Sequence, residues 1–415
     1  MVKHSILLIF ILLLILSGCT GKREINDLAL VMAVGIDKVD DENEGEGSDT
    51  EAGNEGEKGD KIEITIEVAR PADSRGQTGA PAGNTGDPIW SASATGQTLF
   101  EAIRNLTSFS TRRVFWAHNF IIVINEDVAR DGIKDILDFF TRNPELRMRT
   151  WVAITPNKAK DIISTMTGLE VIPGEALDKL YRYTEISAVA PKTELIDVQA
   201  AYLGETTQPI IARMQLIERG VSNKKQGQAG AIKQVSLEGA GVFKRDKLVG
   251  ILDKEETRAA VLFIENVKSE VVVVACPKEP KQLLTAEIVH DKFNVTATYE
   301  NGKPGFTVDY HAVANVVEAD CPFSVEDEDD VKTLEKEIVN SLTGNIEKVI
   351  EKAQKEYKSD FLELGQRFNN KYPSEWKKIH KNWDSTFSDV AVKVNVDAVV
   401  KSGVLLYDPT RSGKK

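Results

Sequence analysis

Apolar residues in this chain recur with two different periods, and segments of the two kinds take turns along its length. A repeat of two puts side chains on one face of a strand, whereas i, i+3, i+4 spacing puts them on one face of a helix. Leu28, Leu30, Met32, Val34 and Ile36 alternate within 25–37, and Ile62, Ile64, Ile66 and Val68 alternate within 61–70. Helical spacing then joins Leu99, Ala102, Ile103 and Leu106. It also joins Ala129, Ile133, Ile136, Leu137 and Phe140, and later Ala159, Ile162, Ile163 and Met166. Strand-like runs at 89–95, 120–124 and 148–154 lie between these helices. Such alternation predicts a mixed α/β unit with at least one βαβ-like stretch, and we place it at 19–168.

The pattern changes further along. From 169 to 203 it is short and mostly helical, with Leu177, Leu180 and Tyr181 on one face and Leu195, Ile196 and Val198 on the next. A strand-like run at 209–217 leads into the polar linker 220–230, so 169–230 reads as a middle helical segment. The last unit, 231–408, opens with Val242-Phe243 and Leu248-Val249 around Lys244-Arg245-Asp246-Lys247, a hairpin turn by composition. A short helical cap is expected at 253–258. Strands are expected at 261–264, 271–275, 283–289, 295–299 and 307–317. Ser324 and Asp327 form a capping-box-like start. The helix they open carries Val331, Leu334, Ile338, Leu342, Ile346, Val349, Ala353 and Tyr357 and is roughly thirty-five residues long by that periodicity. Trp376, Ile379, Trp383 and Phe387 mark a shorter helix, and Val390, Val392, Val394 and Val396 a final strand. The expected fold class is therefore α+β and multidomain. A mixed α/β N-terminal domain precedes a small, mostly helical middle segment and a C-terminal antiparallel sheet packed with long helices.

Hydrophobic residues at 41% suffice for real cores, and the net charge of −12 argues against a nucleic-acid binder. Most of that charge is local: 40–60 holds ten acidic residues and one lysine. A stretch so rich in Gly, Glu and Asp buries too little apolar surface to offset its ordering entropy. It is expected to be a disordered insert joining two paired strands, at little cost in loop closure. A second Gly/Pro-rich loop spans 71–88.

The amino terminus has its own logic. Lys3 and His4 precede an unbroken apolar run, Ile6 to Leu16. That run is too short for a bilayer-spanning helix, which needs about twenty residues, and suits a secretory signal. It ends in Leu16-Ser17-Gly18-Cys19, which resembles the bacterial lipoprotein signal. The expectation is a signal peptide at 1–18, cleavage between Gly18 and Cys19, and S-diacylglycerol and N-palmitoyl groups on Cys19. The plainer alternative is an ordinary signal with an incidental cysteine. Two acyl chains hold a protein durably on a membrane, where one holds it marginally. No other segment is apolar for eighteen residues, so the anchored body is expected not to span the membrane. The remaining cysteines, Cys276 and Cys321, lie on separate strand-like runs and read as independent core residues. A disulfide is permitted outside the cytoplasm.

Each chemically suggestive group has a plainer structural reading. His118 reads as a hydrogen-bonded histidine at a strand entry, and Glu24 with Asp27 as turn residues. The acidic run 326–330 lacks the spacing of a calcium loop and suits the positive end of a helix. Gly239 and Gly241 precede a hairpin, where a dinucleotide loop requires a helix. Arg142, Arg147 and Arg149 read equally as a patch for anionic lipid or as a solvated edge. Trp376, Ile379 and Trp383 read as core before partner surface. No catalytic residue, metal ligand or cofactor is assigned.

Several stretches taken in order resemble a known family. They are Lys22-Arg23-Glu24-Ile25-Asn26-Asp27-Leu28-Ala29, Gly35-Ile36-Asp37, His118-Asn119-Phe120-Ile121-Ile122-Val123, Ala129-Arg130-Asp131-Gly132-Ile133 and Leu137-Asp138-Phe139-Phe140-Thr141-Arg142. Gly239 to Gly250 (GAGVFKRDKLVG) and Glu256-Thr257-Arg258 continue the series. Together they resemble the Ger(x)C family, the lipoprotein C subunits of GerA-type spore germination receptors. The inserts 40–60 and 71–88 depart from its pattern. The resemblance implies a non-catalytic subunit, lipid-anchored on the outer face of the spore inner membrane. Its partners would be membrane-spanning A and B subunits, with weak self-association as a further contact. The complex would respond to nutrients. Two other readings compete, a solute-binding lipoprotein of a transporter and a tethered cell-wall hydrolase.

Overall fold

The computed structural model describes residues 27–39, 61–69, 89–167, 169–221 and 231–401. Cys19 and the inserts 40–60 and 71–88 lie outside the described residues, as does nearly all of the linker. Two sheets organise the rest. The first has the order β3-β2-β1-β5-β6-β7-β8-β9, with β4 also paired to β1. Its strands are β1 Leu28–Lys38, β2 Ile62–Ala69, β3 Ile89–Gly96, β4 Arg113–Phe115, β5 Ile121–Asn125, β6 Trp151–Thr155, β7 Ile210–Val221, β8 Ala231–Lys244 and β9 Lys247–Leu252. β1, β5, β6 and β7 are parallel neighbours, whereas β2, β3, β8 and β9 extend the sheet in antiparallel pairs.

The centre of this sheet is covered on both faces, so Ala33 to Asp37 are all buried. Strict alternation along β1 predicts that Leu28, Leu30 and Met32 share a face with Val34 and Ile36. The structure differs, because a register shift between Val31 and Ala33 inverts the parity. Ala29, Val31, Val34 and Ile36 therefore join one core, and Ala33 joins the core on the opposite face. The amphipathic helix expected around Ala129 to Phe140 is two helices, Glu126–Asp131 and Lys134–Arg142. They are separated at Gly132, whose φ of 132° no helix accommodates.

Hydrogen bonding does not break at residue 231, where the sequence places the start of the last unit. β8 pairs with β7 from Ala231 to Val242, and the β8–β9 hairpin closes through Arg245-Asp246. The first sheet thus continues to Leu252.

The second sheet has the order β10-β11-β12-β13: Glu270–Ala275, Leu283–Glu300, Lys303–Ala319 and Ala391–Lys401. The two strands expected at 283–289 and 295–299 are one long strand, kept continuous through register shifts near Thr285 and Ile288. The strand expected at 261–264 is instead the last turn of helix Lys254–Ile264, opened by a capping box between Asp253 and Glu256. β13 runs parallel to β12 in an otherwise antiparallel sheet. Its crossover contains helix Glu328–Glu351, which is shorter than expected and ends in a π-helical turn, Lys352–Glu356. Asp327, not Ser324, caps its start, accepting from the amides of Asp329 and Asp330. The shorter C-terminal helix is three pieces, 373–379, 380–382 and 383–387.

Cys276 and Cys321 are joined in a disulfide, which corrects their reading as independent core residues. β10 and β12 both flank β11, so their ends meet beside Leu283, whose carbonyl accepts from the amide of Asp320 at 3.0 Å.

Candidate functional site

Buried acids are where catalytic groups are first sought, because desolvation shifts their pKa values. Glu67 is fully buried and its carboxyl is pushed up to about 8 by that burial, against the opposing pull of the Gly174 amide. Its oxygens lie 3.0 and 3.3 Å from that amide, at the start of helix Pro173–Arg182. Asp37 accepts from the amides of Ala159 and Lys160 at 2.7 and 3.0 Å, and burial raises it as well. Asp360, pushed up to about 6 by burial, accepts from Leu364 N, Gly365 N and Trp383 Nε1. Burial also raises Glu256, but Lys348 and Lys352 outweigh it and hold the carboxyl below its ordinary range. Each of these acids thus holds a helix start or an ion pair. Among the described residues no group of three His, Cys, Asp or Glu could hold a metal ion.

Among the described residues, much of what carried the family resemblance is framework. A Cβ on Gly35 would lie 2.9 Å from the backbone of Ala159. Gly132 lies against Asp246, whose carbonyl accepts from Ile133 N at 2.9 Å, so the turn of the β8–β9 hairpin docks on helix Glu126–Asp131. Gly250 faces the ring of Tyr357, whose hydroxyl donates to Ile251 O at 3.0 Å. Arg258 donates to the carbonyls of Ser187 and Val271. Phe139 and Phe140 pack edge-on against Trp116. Hairpin β8–β9 is therefore the joint on which the second sheet and its helices are clamped.

His118 is exposed, with its ring 6.1 Å from that of Phe115, and does not occupy the strand-entry role expected of it. The buried residue there is Asn119, whose side-chain amide has no hydrogen-bond partner among the described residues. Asp27 is exposed. In the acidic run, Asp327 and Asp330 hold Lys278 at 3.0 and 2.7 Å. Arg142 pairs with Asp138, and Arg147 and Arg149 are exposed. Trp376 and Trp383 are core, stacked around Phe368.

Concavities among the described residues include one of about 490 Å³, where His380, 2.8 Å from Glu205, meets Arg245 and Trp383. A polar cleft of about 380 Å³ lies where helix Leu195–Leu203 meets Phe361 and Glu363. A groove of about 610 Å³ runs between Phe100 and Phe139 over Trp116, rimmed by Arg113, Arg142 and Glu145. Sequence reasoning missed Asp360 and the groove. Asp360 lies in a stretch with no recognised motif, and the groove is assembled from separate segments, 97–100, 113–116 and 135–145, that only the fold brings together.

Two family models match. "Spore germination protein N-terminal domain" matches residues 21–216, and "Spore germination B3/GerAC like, C-terminal" matches residues 238–403. The chain is similar to spore germination protein KC of Bacillus subtilis strain 168, 25% identical over 99% of this chain and 98% of that one. It is also similar to spore germination protein YndF of the same strain, 27% identical over 94% and 95%. The crystal structure of the GerBC protein superposes with a TM-score of 0.50 at 19% identity, covering 88% of this chain and 96% of that one. That likeness concerns the fold.

Proposed function

This chain belongs to the GerAC-like family of spore germination proteins, the C subunits of germination receptors, and from that membership we propose that it is a lipid-anchored, non-catalytic subunit of a nutrient receptor. The observation carrying this reading is the correspondence of both halves, in order, with germination proteins over nearly the whole length. Diacylglycerol and palmitate on Cys19 tether the body to the outer face of the spore inner membrane. The contact surfaces, including the aromatic groove, serve membrane-spanning A and B subunits. No helix among the described residues is long and apolar enough to cross a membrane.

The test is Cys19→Ala in spores. The variant is expected in the soluble fraction after a salt wash, with a weakened response to nutrient. Retention on membranes after that wash would contradict the anchor. Co-purification of the wild-type chain with two membrane-spanning proteins would identify the partners.

A further inference from the structure

We infer that the loop 108–113 is the membrane-facing tip of the body, seating Phe109 and its neighbouring arginines on anionic phospholipid headgroups. The inference rests on the anchor proposed above and adds an orientation to it. The parallel register sets Arg113 level with Leu28, so β4 begins where the amino-terminal segment enters the sheet. Only eight residues, 20–27, separate that point from Cys19. Fully extended they span at most ~28 Å, so this end of the sheet cannot stray far from the anchoring leaflet.

What the chain displays there suits a lipid surface. Phe109 is 52% exposed. Its loop is shaped by short local bonds: Ser108 Oγ donates to Asn105 O at 2.7 Å, and Ser110 Oγ to Arg112 O at 2.6 Å. Arg112 and Arg113 are exposed on the following residues. Arg113 pairs with Glu145, and Arg112 is exposed. Arg147 and Arg149 precede β6, two strands across from β1, which is about 10 Å away. An exposed aromatic flanked by arginines reaches the headgroup–acyl boundary while the cations meet phosphate. Val271 and Val273, also exposed, lie on the second sheet.

Single-cysteine labelling tests this on the full lipidated chain, because Cys276 and Cys321 are bonded to each other. Thr111→Cys, with Phe109 in place, and the reference Asn301→Cys in the distant β11–β12 turn each carry an environment-sensitive fluorophore. The chains are reconstituted in phosphatidylcholine vesicles with about one-third phosphatidylglycerol. A nitroxide-bearing lipid is expected to quench the label at 111 about threefold more than at 301. The difference should shrink with Phe109→Ala or without phosphatidylglycerol. Equal quenching in chains that float with the vesicles would overturn the orientation and leave the anchor standing. Shielding from aqueous iodide without lipid quenching would assign the tip to a second copy and overturn it as well. Lipidated chains that fail to float would overturn anchor and orientation together.

Discussion

Glu67 and Asp37 lie on adjacent strands and do the same job, presenting a carboxyl to the first amides of a helix packed on the sheet. The positive end of a helix favours negative charge, yet at Glu67 burial dominates and pushes the carboxyl up to about 8. Between the ordinary glutamate range and about 8 the folded chain holds a proton that the unfolded chain has released. Stability contributed by Glu67 is therefore present below that interval and falls as pH rises through it. Asp360, pushed up to about 6, acts with the same sign over a lower window. Glu256, held low by its lysines, acts with the opposite sign. Glu67→Gln keeps an acceptor for Gly174 and cannot titrate. Urea midpoints measured from about pH 5 to about pH 8 should fall in the wild type and fall much less in the variant. Equal slopes would show that Glu67 is not the titrating group. At this scale the sequence was legible where side-chain size decides: Trp376 and Trp383 were read as core and are core. It was not legible for Asp360 and Asn119, whose burial is decided by segments far apart in the chain.

Strands and helices follow their periods closely, and the departures have local causes. The strand period broke at the β1 bulge because one inserted residue inverts every side chain beyond it. Val261 to Ile264 read as a strand because four apolar residues in a row suit either element; a capping box at Asp253 and Glu256 decides for helix. The cysteine pairing was missed for a different reason. It depends on sheet order, since β10 and β12 must both flank β11 to bring residues 45 apart together. A bridge closing a loop of that length constrains the unfolded chain, and its loss should cost about 2–4 kcal/mol. Cys321→Ser is expected to lower the urea midpoint accordingly. Reductant should lower the wild type to the same value and leave the variant unchanged. A variant as stable as the oxidised wild type would contradict the bridge as a stabilising element.

For the whole molecule, the α+β class was legible because two periods alternate along the chain. The continuity of the first sheet was not, since a polar linker reads as a boundary while β8 returns across it to pair with β7. Two glycines of the family-like stretches sit at joints of the body, Gly132 on Asp246 and Gly250 on Tyr357. Function entered through kinship, by the match of both halves of the chain to germination-protein families, and the proposed role is one of surface contact. On this account those surfaces are held at the bilayer by the cysteine at residue 19. Mass spectrometry of the amino-terminal peptide from spore membranes tests that most directly. The account predicts a peptide beginning at Cys19 and carrying both diacylglycerol and an amide-linked acyl chain. A free thiol at Cys19, or a mature chain beginning at any other residue, would contradict it.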